Sequence, residues 1–593
     1  MESTSTYSGE FRSDQKEYLA GFFAGLAQQR ISPFAGLTPM GLITSDPQSG
    51  AQNLAEPVEE TYHGVPLSDL CREERWKAER NPLDIWDRLL VHADKNQAPV
   101  AEDVFRFKFH GLFYVAPAQD SFMLRLRIPG GRLSAHQMRG LADMAERYGC
   151  GRADLTTRAN VQIREFQPKD IVRVLNTVQS LGLTSRGTGA DNVRNITASP
   201  TTGIDPYELL DVGPIADGLH QYILNSRDLY ELPRKFNVAF DNGGSISVLA
   251  NTNDIGFQAV RVGRGRSAPS GVYFRILLCG ITGHKQFAED IGLLVAPEQA
   301  IAVATAMIRV FVDHGDRTDR KKARLKYLVD RWGVEKFISE TEKHLAFALL
   351  RCRADECEPR NAIDRAGHIG VHPQRQPDLN YIGLSVPVGR LPVDQMRVVA
   401  DVADVFGTGE IRLTVWQNLL IPNVQASRVA EAIERLQAGG LDCEAGTLLR
   451  GTVACTGNRG CRYAATDTKL HAVELAKFLD SRFQILQPVN LHVTGCPHSC
   501  AQHYVGDIGL LGTKVMGAEG YQVVIGGGSD DDQGLARELI PSIAFSDLPA
   551  QMERLLAAYI EQRLGDESFL EFSRRHSIDE LKSFLDLKEA AAR

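Results

Sequence analysis

The chain has 593 residues, with 66 Lys and Arg against 74 Asp and Glu and a formal net charge of −8 at pH 7. This length exceeds a single core, because one domain usually spans ~100–200 residues. The negative charge argues against a general nucleic-acid-binding protein, and no stretch approaches the ~20 consecutive apolar residues of a membrane helix.

The N-terminal region is polar before it becomes amphipathic. Residues 1–14 lack the charged-then-apolar plan of a signal peptide, so we expect a cytoplasmic protein. Apolar residues then recur at helical spacing, and Asp14 and Glu17 form a candidate capping box. The apolar residues are Leu19, Phe22, Phe23 and Leu26. We predict that residues 1–96 form an N-terminal helical extension.

Three predicted strands carry rows of polar side chains, because alternate residues of a strand face opposite sides. The strands are 123–128, 155–164 and 235–241. Their polar rows are Arg125 and Arg127; Thr156, Arg158, Asn160, Gln162 and Arg164; and Lys235 and Asn237. A solvated outer face explains one such row. Three rows rich in Arg and Lys indicate an anion site, because Arg stays charged and binds carboxylates in a bidentate manner.

An internal repeat runs through the chain in one register. Gly131-Arg132-Leu133 recurs as Gly389-Arg390-Leu391, an offset of 258 residues. At the same offset Gln137-Met138-Arg139 recurs as Gln395-Met396-Arg397, and Leu155-Thr156 as Leu413-Thr414. More loosely, 274–280 (FRILLCG) resembles 521–526 (YQVVIG), with a long helical segment after each. A gene duplication accounts for this pattern.

The duplication predicts an α+β protein with two pseudo-twofold halves, each a small α+β unit followed by a larger α/β unit. The small units are 97–188 and 370–442, the larger units 189–345 and 443–593, with a linker at 346–369. Pro373 and Pro377 also mark a linker between the halves. A large ligand often lies between duplicated halves, although a duplication without a ligand is the alternative. The halves have diverged, since Arg158 corresponds to Trp416.

Four of the ten cysteines crowd into one window of the second half. Cys455, Cys461, Cys496 and Cys500 are spaced C-x5-C, a gap of 34 residues, and C-x3-C. Four thiolates can hold a [4Fe–4S] cluster. Zinc is the alternative, but structural zinc sites favour C-x2-4-C pairs. Both pairs lie in glycine-rich turns whose N–H groups can point at sulfur. Four unrelated buried cysteines are the remaining explanation.

Several tracts together resemble the sirohaem-dependent nitrite and sulfite reductases, and within that family the ferredoxin–nitrite reductases most. They are TGNRGC and TGCPHSC around the cysteines, TTRANVQI, DNVRNI and LPRKFN. The resemblance runs from about Val104 to the C-terminal region. It implies a duplicated fold with ferredoxin-like small units and a C-terminal domain that binds sirohaem and a [4Fe–4S] cluster.

The resemblance also implies roles for individual residues. The four clustered cysteines would hold the [4Fe–4S] cluster, and Cys500 would supply the sulfur that bridges the cluster to the sirohaem iron. The residues expected to hold sirohaem carboxylates are Thr156, Arg158, Gln162, Arg164 and Arg234. Those expected to surround substrate on the open face are Arg125, Arg194, Lys235 and Asn237.

One residue departs from the family pattern, and one tract has two possible interpretations. His498 lies where most relatives carry Asn between the last two cysteines, which puts a local hydrogen bond to the cofactor in doubt. The tract 317–331 (RTDRKKARLKYLVDR) is strongly basic. It is either a solvated helix face or, as in the family, a segment near the cofactor.

The implied activity is the assimilatory six-electron reduction of nitrite to ammonia. The glycine-rich tracts 262–271 and 526–528 do not open a nucleotide-binding unit, so we expect an external donor, ferredoxin or flavodoxin. We expect no nucleic-acid or membrane partner. The alternatives are a sulfite reductase that produces sulfide, a corrin-pathway oxygenase, and an electron-transfer or redox-sensing protein. Asn237 favours nitrite, because sulfite-reducing relatives usually carry Lys there.

Overall fold

The computed structural model describes residues 60–586, except 116–118, 267, 445 and 486. The predicted helix around 19–26 lies outside these residues. The helices are Arg72–Glu79, Trp86–Asp94, Ala101–Arg106, Ala135–Tyr148, Ile171–Ser180, Gly213–Asn225, Ala300–His314, Leu325–Trp332, Val334–Glu342, Val393–Phe406, Val429–Ala438, Thr447–Arg450, Thr468–Asp480, Leu548–Gln562, Phe569–Arg575 and Ile578–Ser583. None of the helices in this described part combines the length and the apolar character needed to cross a membrane.

The two small units are built on two sheets, called the small sheets, and the two large units on two more, called the large sheets. A short two-stranded ribbon is formed by Thr61–Tyr62 and Val65–Pro66. In the first small sheet, neighbouring strands follow the order Arg390–Pro392, Arg152–Leu155, Val161–Phe166, Ser121–Arg125 and Leu112–Val115. In the second small sheet, the order is Gly370–Pro373, Leu379–Leu384, Leu419–Gln425, Glu410–Leu413 and Arg132–Ser134. In the first large sheet, the order of neighbouring strands is Leu350–Arg351, Glu289–Val295, Gly271–Leu278, Ile255–Val262, Val238–Asp241 and Thr197–Ala198. In the second large sheet, it is Thr452–Ala454, Leu491–Thr494, Ile508–Val515, Ala518–Ile525 and Arg537–Ala544.

The two small units exchange an edge strand. Arg132–Ser134 of the first half pairs with Glu410–Leu413 of the second. The equivalent Arg390–Pro392 pairs with Arg152–Leu155 of the first half. Each half thus completes the other's sheet, which fixes the pseudo-twofold relation that the repeat predicted.

The helices Ala135–Tyr148 and Val393–Phe406 are also equivalent, and they belong to one shared core. Their buried residues recur at helical spacing and at the repeat offset: Met138, Leu141, Ala142 and Ala145, and Met396, Val399, Ala400 and Ala403. At the rim, Arg139 pairs with Asp401, and its equivalent Arg397 pairs with Asp143. These exposed pairs add little free energy, so the apolar stripe holds the halves together.

The two large sheets share one topology. In each, three strands run parallel and two antiparallel strands follow, and the first sheet adds a third antiparallel strand, Leu350–Arg351, at its edge. Gly271–Leu278 and Ala518–Ile525 occupy the same place in this order, and the helices Ala300–His314 and Leu548–Gln562 follow them. The looser sequence correspondence between 274–280 and 521–526 is therefore structural.

Three local predictions differ from the structure. The segment 155–164 is a hairpin, because the chain turns over 156–160 and Ala159 has a φ of 46°. The third polar strand begins only at Val238, so Lys235 and Asn237 precede it. Pro373 ends a strand at a sheet edge, where a missing N–H costs no ladder bond, and it is not in a linker.

A buried ionic cluster fixes the start of the basic tract to the helix Arg72–Glu79. Glu74 pairs with Lys77 and, at 2.5 Å, with Arg317, and all three side chains are at most 1% exposed. We expect Glu74→Gln to destabilise the protein by about 3–5 kcal/mol, because two cations would lose their buried partner. Urea unfolding followed by Trp fluorescence measures this change. Glu79→Gln is the control, since Glu79 is 61% exposed and only bonds Arg106. A loss for Glu74→Gln no larger than that of the control would contradict the prediction.

Candidate active site between the halves

A cavity of about 620 Å³ lies between the first large unit, the hairpin turn at 156–160 and the cysteine loops. Most of the predicted site residues line it: Arg125, Thr156, Arg158, Gln162, Arg194, Arg234, Lys235, Asn237, Cys455 and Cys500. The hairpin turn brings Thr156 and Arg158 to the cavity, and the residues just before the strand Val238–Asp241 bring Lys235 and Asn237. Segments more than 300 residues apart in sequence therefore meet at one site.

Arg164, Cys461 and Cys496 do not line this cavity. The Arg164 side chain lies behind the wall, where Nε donates to Asp154 at 2.7 Å and Nη2 donates to the Thr456 hydroxyl at 2.8 Å. Its charge is already compensated by Asp154. The position of Arg164 therefore differs from the one expected of a residue that binds sirohaem carboxylates. Its side chain instead links the cysteine loop to the first half through hydrogen bonds to Thr456 and Asp154.

The cavity wall carries buried cations that form no ion pair with a carboxylate among the described residues. Burial lowers the pKa of Arg125 and of Arg158 to about 10. Burial also lowers the pKa of Arg194 and of Lys235 well below the ordinary values, and nearby cations lower both further. Arg194 donates to two backbone oxygens, those of Thr188 at 3.1 Å and Ala190 at 2.7 Å. Isolated buried charges are costly, so this wall is built for an anionic ligand.

Polar atoms at the wall also lack partners within the described part of the chain. The Nε atoms of Arg194 and Arg234 and the Oδ1 of Asn237 are buried without a hydrogen bond there. Buried polar groups of a native protein are nearly always bonded. A ligand that bears several carboxylates fits both the excess of positive charge and the free Nε donors of Arg194 and Arg234.

The four clustered cysteines are neighbours in space. Burial, together with the charges of Cys500, Cys455 and Cys461, raises the pKa of the Cys496 thiol to about 12. The Gly495 N–H donates to the Cys455 Sγ at 3.2 Å, as the glycine-rich turn predicted. Among the described residues no three His, Cys, Asp or Glu side chains are placed to hold one metal ion. Four neighbouring thiolates can hold a [4Fe–4S] cluster, in which each thiolate binds its own iron.

His498 remains close to the cysteine sulfurs. Its Nδ1 lies 3.4 Å from the Cys496 Sγ, and its ring meets Tyr463 edge-on. Burial lowers the pKa of His498, as do the cations Lys235 and Arg234. The imidazole therefore reaches a cysteine sulfur from the position where the family resemblance leads us to expect Asn.

The structure adds residues that the sequence analysis did not assign to the site. Arg324 holds Asp254 at 2.8 Å, and Arg320 holds Asp191 at 2.8 Å. The basic tract therefore lies at the cavity, and its helix begins only at Leu325. Further lining residues without an assigned role are Thr188, Asn195, His284, Lys321, Gln417, Lys469 and Gln502. The basic tract 317–331 was the sequence feature that pointed to Arg320 and Arg324 as residues near the site. No sequence feature pointed to Asp254.

Comparison with known proteins agrees with this geometry. The model of the nitrite and sulphite reductase 4Fe-4S domain matches residues 189–349 and 445–590. The model of the nitrite/sulfite reductase ferredoxin-like half domain matches 115–181 and 372–439.

Individual relatives match over most of their length. A chloroplastic ferredoxin–nitrite reductase of Zea mays is 37% identical over 80% of this chain and 87% of its own. A ferredoxin–nitrite reductase of Synechococcus elongatus is 33% identical over 82% of this chain and 96% of its own. The solved structure of the Mycobacterium tuberculosis NirA protein superposes with a TM-score of 0.79 at 27% identity, covering 86% of this chain and 97% of that one. These matches confirm the predicted duplicated α+β fold, and the chain belongs to the family of nitrite and sulphite reductases that combine a 4Fe-4S domain with ferredoxin-like half domains.

Proposed function

We propose that this chain is a ferredoxin-dependent nitrite reductase that reduces nitrite to ammonia at a sirohaem coupled to a [4Fe–4S] cluster. The observation that carries the proposal is the set of uncompensated buried cations in a cavity that also contains Cys455 and Cys500. The names of the plant and cyanobacterial relatives support the same activity. The cytoplasmic location and the absence of nucleic-acid and membrane partners stay predictions.

The cavity residues divide into two groups by the ligand that each would hold. Thr156, Arg158, Gln162 and Arg234 would bind the sirohaem carboxylates. Cys455, Cys461, Cys496 and Cys500 would bind the cluster, with Cys500 shared between the cluster and the sirohaem iron. Arg164 acts through the cysteine loop. When bound, these cofactors supply the redox chemistry, which no amino-acid side chain can perform.

The protein's own contribution is to hold an anion and to deliver protons. Arg125, Arg194 and Lys235 place positive charge where nitrite would sit, in a pocket where burial strengthens each interaction. Because burial and neighbouring cations lower the pKa of Lys235, its ammonium is primed to donate a proton as the bound anion is reduced. Asn237 adds a neutral amide at the same wall, so the pocket suits a singly charged anion better than a doubly charged one.

The electron source gives the test of this function. We expect the purified protein to produce ammonia from nitrite with reduced ferredoxin or a reduced viologen dye. It should not oxidise NADH or NADPH, because no nucleotide-binding unit was predicted. Reduced flavodoxin is a second donor to assay beside ferredoxin. Rapid NADPH-driven ammonia formation by the chain alone would overturn the external-donor assignment, and failure with every reduced donor would overturn the activity itself.

A further inference from the structure

Two cysteines outside the active site meet in the segment that connects the halves. The Cys352 N–H donates to the Gly292 carbonyl at 3.0 Å, at the edge of the first large sheet. Cys357 forms an antiparallel bridge with Val262, two strands further along the same sheet. The connecting segment therefore crosses over the intervening strand, Gly271–Leu278, and both cysteines are anchored through their backbones.

The Cys357 side chain packs against the apolar cluster that contains Cys352, and the Cys352 thiol donates to the Arg353 carbonyl at 3.4 Å. Both belong to one apolar cluster with Val262 and Leu294, in which Cys352 is 6% exposed and Cys357 is half-buried. Within the described residues they form no metal site with a third ligand. A pair of this kind is therefore either two inert core thiols or a dithiol that can be oxidised.

A charged side chain distinguishes Cys357 from an inert core thiol. The Arg275 guanidinium, on the strand beneath, donates from Nη1 to the Cys357 Sγ at 3.4 Å and pairs with Asp290 through Nη2. Arg275, Asp290 and Cys352 also line an open cavity of about 690 Å³. Cys352 thus faces an open cavity, and Cys357 is half-buried beside the Arg275 cation, which is in place to stabilise a thiolate.

We propose that Cys352 and Cys357 form a redox-active dithiol, a modification site separate from the active site, in which Cys357 is the attacking sulfur. With a disulfide oxidant such as oxidised glutathione, the Cys357 thiolate attacks one oxidant sulfur and releases one thiolate. Cys352 then loses its proton and attacks the mixed disulfide, which releases the second thiolate. The two cysteines lose two electrons and two protons, and the oxidant becomes two thiols. The bond would fasten the connecting segment across the sheet.

Peptide mapping of the full-length holoprotein in glutathione buffers of graded redox potential tests the proposal. Trypsin cleaves after Arg351, Arg353 and Arg360, so a disulfide would link peptide 352–353 to peptide 354–360. We expect this linked pair to accumulate reversibly, while Cys443, which is buried with no cysteine partner among its described contacts, stays reduced. If the linked pair never forms while the protein stays folded, the proposal is wrong.

Single variants identify the attacking sulfur. Cys352→Ser should trap a glutathione adduct on Cys357, whereas Cys357→Ser should leave the buried Cys352 unmodified. Asp290→Asn removes the ion pair but keeps Arg275 beside the thiol, and Arg275→Met removes the cation. In the Cys352→Ser background we expect Arg275→Met to slow alkylation of Cys357 by about three- to tenfold, and Asp290→Asn to leave it nearly unchanged. Equal rates in both, or an adduct on Cys352 only, would overturn the assignment of Cys357.

Discussion

Cys500→Ser should abolish nitrite reduction and disturb the absorption of both chromophores in the purified protein. Cys500 is the exposed member of the four clustered cysteines and lines the cavity, and the Thr157 hydroxyl donates to its carbonyl oxygen at 3.2 Å. That contact ties the Cys500 backbone to the hairpin turn of the first half. Because the cofactors supply the redox chemistry when bound, loss of the sulfur that we propose they share should remove essentially all turnover and not a fraction of it.

Visible absorption and turnover with a reduced viologen dye measure this effect. Cys443→Ser is the matched control, since Cys443 is buried in the core shared by the small units, away from the cavity. It should keep the wild-type spectrum and activity. Normal turnover together with a normal spectrum in Cys500→Ser would remove Cys500 from the site.

Asn237→Lys should shift the substrate preference from nitrite toward sulfite. Nitrite carries one negative charge at neutral pH and sulfite carries up to two. Asn237 is 6% exposed, and its Oδ1 has no partner within the described residues, so the amide faces the cavity beside Lys235. Two unit charges 4 Å apart interact by about 4 kcal/mol at an effective dielectric constant of 20. If a third of that energy survives as discrimination, the ratio of the two kcat/KM values changes by about tenfold.

The measurement is kcat/KM for nitrite and for sulfite with one reduced dye as donor. Asn237→Gln is the control, because it keeps a neutral amide and should leave the ratio near that of the wild type. We also expect the wild type to prefer nitrite. A wild type that turns over sulfite better than nitrite would replace the proposed activity by sulfite reduction. An unchanged ratio in Asn237→Lys would mean that Asn237 only supports Lys235.

The duplicated fold was predictable because the same helical spacing of apolar residues occurs twice in the chain, at one constant offset. Residues that recur at the repeat offset, such as Met138 and Met396, recur at helical spacing within each half and are buried in the shared core. The strand exchange was not predictable, because a three-residue edge strand pairs equally well within or between halves by its sequence. Only the packing of the two central helices places Arg132–Ser134 beside the other half's sheet.

The hairpin at 156–160 shows where period-two patterning fails. The alternation of 155–164 continues through the turn, so the pattern cannot reveal that Ala159 adopts a positive φ. The alternation nevertheless selected Thr156 and Arg158, which line the cavity. The alternation also placed Arg164 on the same strand face as Gln162. It could not show that Arg164 pairs with Asp154, which compensates its charge.

By itself the sequence determined the duplication, the spacing of the cysteine ligands and the surplus of cations in a few tracts, since each depends on residues close together along the chain. The tertiary structure decided which of those cations are compensated. Arg324 meets Asp254 and Arg164 meets Asp154, whereas Arg194 and Lys235 line the cavity with no carboxylate partner in the part of the chain that the structure describes. The physical reason is that the free energy of a buried charge depends on the groups around it in space, and folding brings those groups from distant parts of the chain.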